Sequence, residues 1–233
     1  LKQTYQSFEI IVVGDGHQQN VQELVNTYED ARISYHYVEH CGYPAKARNM
    51  GISKSKGDLV AFLDDDDLWI ADKLEKQLSV MENNTSIVLC CTDRRSIDQN
   101  NKFVQHRNLR YKPKSATTSL LLVTNFISYS SVLASKKAIL KANGFIELAE
   151  FKAVEDYHLW LKMSSIGSIV FLNDPLLLYR VHSSNISKSL VDGTKKVIDV
   201  YKDIFRHYRF SIFLKALAYT TVYTKYFLYK ITE

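Results

Sequence analysis

Four consecutive aspartates, Asp64, Asp65, Asp66 and Asp67, follow directly on the apolar run Leu59 to Leu63. A buried strand that ends this way delivers carboxylates to its C-terminal edge, which is where open α/β sheets bind ligands. Two carboxylates about 5 Å apart repel by about 3 kcal/mol at an effective dielectric of about 20, so four in a row call for a cation. Hard oxygen donors suit Mg²⁺ or Mn²⁺, which takes one or two protein carboxylates and fills its shell with water and phosphate oxygens. The competing reading is a solvated acidic turn with Asp67 capping the next helix.

Other residues gain meaning from this company. The run Phe8 to Val13 also ends in an acidic turn, Gly14-Asp15-Gly16, whose glycines permit close approach of the backbone to a ligand. Asp15 can accept hydrogen bonds from a nucleobase edge, or serve as a plain turn aspartate. Arg48 lies between the two runs and offers a planar fork of donors to a base or phosphate, a surface ion pair being the alternative. Glu155 and Asp156 open an apolar helix with Leu159, Trp160 and Leu161, where carboxylates also serve as capping charges. His182 closes the run Tyr179-Arg180-Val181 and enters a polar loop.

The elements that must position these residues alternate between apolar runs and helical patterns, the signature of a parallel sheet flanked by helices. Strands are expected at Phe8 to Val13, Ile33 to Val38, Leu59 to Leu63, Ile87 to Cys91, Tyr129 to Ala134, Ser168 to Leu172 and Leu176 to His182. Helices are expected at Asn20 to Tyr28, Pro44 to Lys54, Ala71 to Asn83 and Glu155 to Ser164. Asp93 to Ser115 reads as a long polar loop of the functional kind. Trp69 and Trp160 read as core residues rather than sugar-stacking platforms.

A chain of 233 residues, 46% hydrophobic, can bury one substantial core, which excludes a disordered polymer. The cysteines, Cys41, Cys90 and Cys91, are odd in number and include an adjacent pair, so core thiols in a reducing compartment are expected rather than disulfides. Leu1 to Tyr5 show neither an initiator Met nor an apolar leader, and the numbering is expected to start inside a longer protein. The formal charge of +5 resides after Gly193, where eight basic side chains face three acidic ones. From Lys195 onward the chain reads as helix, with Tyr201, Phe205 and Tyr208 at helical spacing. Nine residues separate Lys215 from Lys225, too few for a transmembrane span. Such a segment can lie on an anionic membrane surface or pack against the preceding domain. No nucleic-acid partner is expected, because no binding motif accompanies the charge.

Taken together, these residues resemble family 2 of the inverting nucleotide-sugar glycosyltransferases, which has the GT-A fold. The resemblance runs from Gln3 to about Ser187. Its landmarks are the Phe8 to Gly16 strand and turn, Ala47-Arg48-Asn49-Met50-Gly51-Ile52, and Phe62-Leu63-Asp64-Asp65-Asp66-Asp67-Leu68-Trp69. Further on come Gly144-Phe145, Glu155-Asp156 with Leu159-Trp160, and Tyr179-Arg180-Val181-His182. The resemblance implies that Asp64 and Asp66 form an Asp-x-Asp motif, with Asp66 and His182 on a Mn²⁺ or Mg²⁺ ion and Asp64 near the ribose or metal-bound water. Asp65 counts with the nucleotide-sugar contacts, Asp15 and Arg48 with the nucleobase contacts, and Asp156 is the general base.

On this resemblance the chain has a mixed, mainly parallel sheet flanked by helices. Residues 1–192 form the catalytic domain, and 193–233 a basic, aromatic helical appendage. The implied donor is a UDP-sugar and the implied acceptor a glycan or lipid-linked glycan, in cytoplasmic synthesis of bacterial polysaccharide, O-antigen or capsule, with the tail peripheral on the membrane. Three departures stand out. The usual first strand and helix are lacking, the turn reads Gly14-Asp15-Gly16-His17 where two acidic residues and Gly-Ser are common, and Asp65 replaces a small residue. A non-catalytic nucleotide-sugar-binding module is the rival reading, although binding alone requires no base. A Ca²⁺ loop is disfavoured by the lack of an Asp-x-Asp-x-Asp-Gly pattern.

Overall fold

The computed structural model describes residues 1–104, 115–182 and 190–232. It opens with β1 (Ile10–Asp15), α1 (Gln19–Asn26), β2 (Ile33–Val38), α2 (Ala45–Lys54), β3 (Leu59–Ala61), β4 (Leu68–Trp69) and α3 (Lys73–Glu82). β5 (Ile87–Ile97), β6 (Ser115–Ala116), α4 (Thr118–Val123), β7 (Leu133–Ser135), α5 (Lys136–Lys141) and α6 (Glu155–Ser164) follow. β8 (Ser168–Arg180), α7 (Leu190–His207) and α8 (Ile212–Thr232) complete the chain, and 3-10 turns form at Tyr129–Ser131 and Ala149–Phe151.

The strands form two sheets among the described residues. β1 and β2 pair in parallel, with Val12 opposite Tyr35 and Asp15 opposite Val38. The larger sheet runs β3-β7-β5-β8-β4, with β6 also on β8. The architecture is mixed α/β with flanking helices, as expected, but its parallel share is smaller than the alternation of elements implies. β5 and β8 are parallel, whereas β3 with β7, β5 with β7, β4 with β8 and β6 with β8 are antiparallel. Each antiparallel pair joins strands far apart in the sequence, the nearest being β5 with β7.

Several boundaries differ from the sequence reading for identifiable reasons. β5 does not stop at Cys91: Thr92 to Ile97, of which Asp93 onward read as the start of a loop, continue the strand because they pair with Leu172 to Arg180 of β8. The remainder of the expected loop, 105–114, lies outside the described residues. The two short strands expected at Ser168 to Leu172 and Leu176 to His182 are one strand. Asn173-Asp174-Pro175 reads as a break, yet it forms a register shift within the ladder, a place where proline is tolerated. Tyr129 to Ala134 is a 3-10 turn followed by β7 rather than a continuous strand. Leu59 to Leu63 shortens to β3, since Phe62 and Leu63 already bend into the acidic turn.

One core unites most of the chain. Leu89 and Cys91 from β5, Ala134 from β7, Leu159, Trp160 and Leu161 from α6, and Ile169 from β8 are all at most 1% exposed. Cys90 is buried in a smaller cluster beside them, and all three cysteines are free thiols, Cys41 lying half-buried after β2. The tail joins this core through Val200, Tyr201 and Ile204 of α7 and Ala218 and Val222 of α8. Polar ties fix it there: His158 Nε2 donates to Asp203 Oδ2 at 2.7 Å, and the Tyr157 hydroxyl lies 3.1 Å from that of Tyr201. α7 begins at Leu190 and crosses the boundary expected after residue 192. No helix among the described residues is long and apolar enough to cross a membrane.

Candidate active site

The acidic turn is formed by a chain that leaves β3 and returns as β4. Its backbone closes on itself, the Asp67 amide donating to Asp64 O at 3.2 Å. Asp67 does not cap the next helix. It is buried, and its Oδ1 accepts the Arg180 amide at 2.8 Å, while Asp72 occupies the N-cap of α3. Arg180 also donates from Nε to Asp66 O at 2.7 Å, so the end of β8 holds the turn by backbone and side chain together. The Asp64 amide donates to Ser130 Oγ at 3.0 Å, which fixes the start of the turn to the 3-10 segment before β7.

Arg48 is where separate segments meet. Its guanidinium donates to Glu155 Oε1 at 2.6 Å and to Asp64 Oδ1 at 3.2 Å, and it lies 3.6 Å above the Tyr129 ring centroid. The arginine, from α2, thereby joins the acidic turn to the first residue of α6. Asn49 secures the geometry: its side chain accepts the Phe145 amide at 2.9 Å and donates to Phe145 O at 2.8 Å. Gly144 must be glycine for this clasp, since it has φ +61° and a Cβ there would lie 2.6 Å from Asn49 Oδ1.

Asp156 lies next to this junction. Its Oδ1 accepts the Tyr157 amide at 2.7 Å, at the N-terminal end of α6 where the helix dipole favours a carboxylate. Burial nevertheless pushes its carboxyl up to about 7, with repulsion from Glu155 adding to the shift and Arg48 pulling against it. Burial likewise raises Asp64, to about 6, again opposed by Arg48. Both carboxyls therefore exchange protons near neutrality, which suits a general base at Asp156.

Asp66 and His182 form a second focus, with Nε2 donating to Oδ2 at 2.8 Å. Among the described residues no three His, Cys, Asp or Glu side chains converge to enclose a metal ion. The pair does offer one hard oxygen and one imidazole nitrogen, a donor set that fits Mn²⁺ or Mg²⁺ completed by water and phosphate oxygens. Asp65 is exposed at the tip of the turn.

Asp15 stands at the end of β1, in the turn completed by Gly16 at φ +94°. Its two oxygens accept the Cys41 and Gly42 amides at 2.8 Å each. Burial works against its charge, but these backbone donors and His40 hold the carboxyl below its ordinary value. Asp15 Oδ2 also lies 3.2 Å from His40 Nδ1. Lys152 Nζ donates to Gly42 O at 2.7 Å, tying the Asp15 corner to the approach to α6.

The structure thus gathers Arg48, Asp64, Glu155 and Asp156 into one cluster, pairs Asp66 with His182 on the same turn, and sets Asp15 at a neighbouring corner. Trp160 is fully buried core, and Trp69 is half-buried with its indole N–H on Ser130 O. Sequence reasoning did not single out Tyr129 or Ser130, which sit in an apolar-polar mixture with no spacing signal. Nor did it give Glu155 its role as the partner of Arg48.

Comparison with known proteins follows the same lines. The family described as glycosyl transferase family 2 matches residues 1–141. Escherichia coli WfgD, a UDP-Glc:alpha-D-GlcNAc-diphosphoundecaprenol beta-1,3-glucosyltransferase, is 32% identical over 206 residues, covering 87% of this chain and 77% of that protein. An uncharacterized glycosyltransferase of Rickettsia bellii is 31% identical over 93% of this chain, which spans 32% of that longer relative. Among solved structures, Staphylococcus aureus TarS 1–349 with UDP-GlcNAc aligns with a TM-score of 0.75 at 17% identity, over 97% of this chain and 66% of that one. The mannosyltransferase PcManGT of Pyrobaculum calidifontis, with GDP-Man and Mn²⁺, aligns with a TM-score of 0.68 at 15% identity, over 95% of this chain and 62% of that one. These two likenesses show the fold, which is the GT-A type.

Proposed function

Because the chain belongs to glycosyl transferase family 2, we propose that it moves a sugar from a nucleoside-diphosphate sugar, a UDP-sugar, onto an acceptor hydroxyl with inversion at the anomeric carbon. The observation that carries this reading is the junction at Arg48, which joins Asp64 of the acidic turn to Glu155 and brings the neighbouring Asp156, raised by burial to about 7, into the same cluster. In the proposed step Asp156 takes the proton of the acceptor hydroxyl while that oxygen bonds to the anomeric carbon. The bond to the diphosphate breaks on the opposite side.

Arg48 pairs with Glu155, and the charge of that neighbour adds to burial in raising Asp156. Asp15 and Arg48 are assigned to the nucleobase side, and Asp64 and Asp65 to the nucleotide sugar. Asp66 and His182 would hold Mn²⁺ or Mg²⁺, whose chemistry is to offset negative charge on the departing diphosphate. UDP as the nucleotude is supported by the ligand of the TarS complex and by the donor in the WfgD name. That name also supports a lipid-linked glycan acceptor, and on this reading the chain serves bacterial polysaccharide, O-antigen or capsule synthesis on the cytoplasmic side.

We further assign residues 1–192 to the transferase unit and 193–233 to an appendage that attaches peripherally to an anionic membrane. α8 packs inward through Ala218 and Val222, and its outward stripe of Ile212, Phe213, Leu217, Tyr223, Phe227 and Ile231 is exposed. No acidic residue occurs from 212 to 232, so a second copy of this helix would bring lysines together without a carboxylate. Anionic lipid satisfies both the stripe and the charge. Vesicles containing phosphatidylglycerol are expected to sediment the full protein but not a Phe213→Ser, Phe227→Ser, Ile231→Ser variant; equal sedimentation of the two removes the assignment.

The transferase reading is tested with the full protein and a panel of nucleotide sugars, scoring nucleoside diphosphate release with Mn²⁺ and with EDTA. Release from one UDP-sugar, lost in Asp66→Ala, is the expected result. No release from any donor, with or without acceptor, would count against it.

A further inference from the structure

Beneath the acidic turn lies a set of polar contacts that the proposed chemistry leaves unused. Lys73, in the first turn of α3, is fully buried. Its ammonium lies 4.1 Å from the Trp69 ring centroid and donates to Gln77 Oε1 at 2.6 Å. The titratable groups that reach it are Cys90 and Cys91, whose thiols burial raises and so keeps neutral, and burial draws the amine down to about 7. A lysine in such a place costs stability, and a Met would fill similar space without that cost. What Met lacks is a donor.

The donor matters because an amide side chain has one accepting end and one donating end. With Oε1 held by Lys73, Gln77 turns its Nε2 hydrogens to Cys90 O at 2.7 Å and Ser131 O at 2.9 Å. Trp69, whose ring bears the ammonium, donates from Nε1 to Ser130 O at 2.7 Å. Lys73 therefore touches both side chains that hold the consecutive carbonyls of Ser130 and Ser131. The same turn presents the Tyr129 ring beneath Arg48 and the Ser130 hydroxyl to the Asp64 amide.

We propose that Lys73 is a positioning residue for the acidic turn: acting through Gln77 and Trp69 it locks the Tyr129–Ser131 segment, and through Ser130 it fixes Asp64. Its consequence for turnover rests on the transferase reading, whereas its consequence for the place of Asp64 does not. Lys73 reaches no substrate and acts at second hand.

The test compares Lys73→Met and Trp69→Phe with the wild type in the full protein, by steady-state kinetics and by hydrogen exchange at individual amides. Lys73→Met is expected to lower kcat/KM for the donor ~10- to 100-fold, the range for small misplacement of a reacting group. It is expected to speed exchange of the Asp64 amide by about tenfold or more while the β5 amides keep their protection. Trp69→Phe keeps a ring for the ammonium but removes the N–H, and is expected to act in the same direction more weakly. It carries the test if Lys73→Met does not fold. Unchanged exchange at Asp64, or a rise spread evenly over β5 and α3, overturns the proposal. A wild type that turns over no donor sinks the transferase reading instead, and exchange at Asp64 still decides this one.

Discussion

The two ends of the Arg48 guanidinium meet carboxylates that live in different media. On one side Asp64, with 41% of its side chain exposed, belongs to a turn held at several points: the Arg180 amide on Asp67 Oδ1, the Arg180 guanidinium on the Asp66 carbonyl, His182 on Asp66 Oδ2, and the Asp64 amide on the Ser130 hydroxyl. On the other side Glu155, 3% exposed, depends on Arg48, and its Oε2 has no hydrogen-bond partner among the described residues. The turn is an acceptor-rich rim, and it is here that the proposed reaction places the cation and the diphosphate. At the start of α6 Glu155 is buried against Arg48, and its charge adds to burial in raising the neighbouring Asp156 to about 7. Each region thus holds one carboxyl raised toward neutrality, Asp64 on the exposed side and Asp156 on the buried one.

The sharpest way to break that contrast is at Asp156. Asp156→Asn is expected to lower kcat by about 10²- to 10⁴-fold, the usual contribution of a general base, while nucleotide affinity measured calorimetrically stays the same. Wild-type kcat/KM should rise with pH through an inflection near 7, where Asp156 ionises. Stability runs the other way. Because the folded-state value is raised, the unfolded chain ionises at lower pH than the folded one, so stability falls between about pH 4 and about pH 7 and does not recover above it. Asp156→Asn should flatten this part of a thermal-melt series. A slope that is identical in the variant assigns the pH dependence to other groups.

Arg48 tests the junction itself, since its loss releases Asp64 as well as Glu155. Arg48→Met fills much of the same space but leaves Glu155 buried without its cation, and loss of one partner of a buried pair typically costs about 3–5 kcal/mol. The double variant Arg48→Met, Glu155→Gln is expected to recover much of that loss in a denaturant titration. If the single and double variants unfold at the same midpoint, burial of Glu155 is not what makes the region costly.

The parts of this arrangement that sequence reading found are those encoded locally. Leu59 to Leu63 running into Asp64 declares a strand end with carboxylates on it, and Glu155 to Ser164 is a helix at the expected bounds because its apolar stripe and acidic first turn agree. What was missed depends on contacts between distant segments. Glu155 lies 107 residues from Arg48, and nothing in either neighbourhood distinguishes this pair from a capping charge and a surface arginine. Thr92 to Ser96 look like loop because they are polar, and become strand because β8 extends beside them. Lys73 has the spacing of an ordinary helix lysine and gives no sign that Trp69 and Gln77 enclose it. Asp67 was a plausible helix cap until Arg180, 113 residues away, took its oxygen.

The smallest expected effect lies on the wet side, at His182. Its imidazole meets Asp66 at 2.8 Å and is 18% exposed, so it can donate to the carboxylate or share a cation with it, but not both at once through the same nitrogen. His182→Ala leaves Asp66 its carboxylate and solvent, and is expected to weaken Mn²⁺-dependent UDP binding by about 10- to 100-fold, as loss of a supporting ligand typically does. Asp66→Asn should abolish the Mn²⁺ dependence itself, since it removes the formal charge as well as a donor. The contrast between rim and pocket then makes a further demand: neither change should move the inflection near pH 7 that belongs to Asp156. Titrating kcat/KM of His182→Ala against pH reads this directly, and a displaced inflection means that the turn and the start of α6 share one electrostatic unit across Arg48.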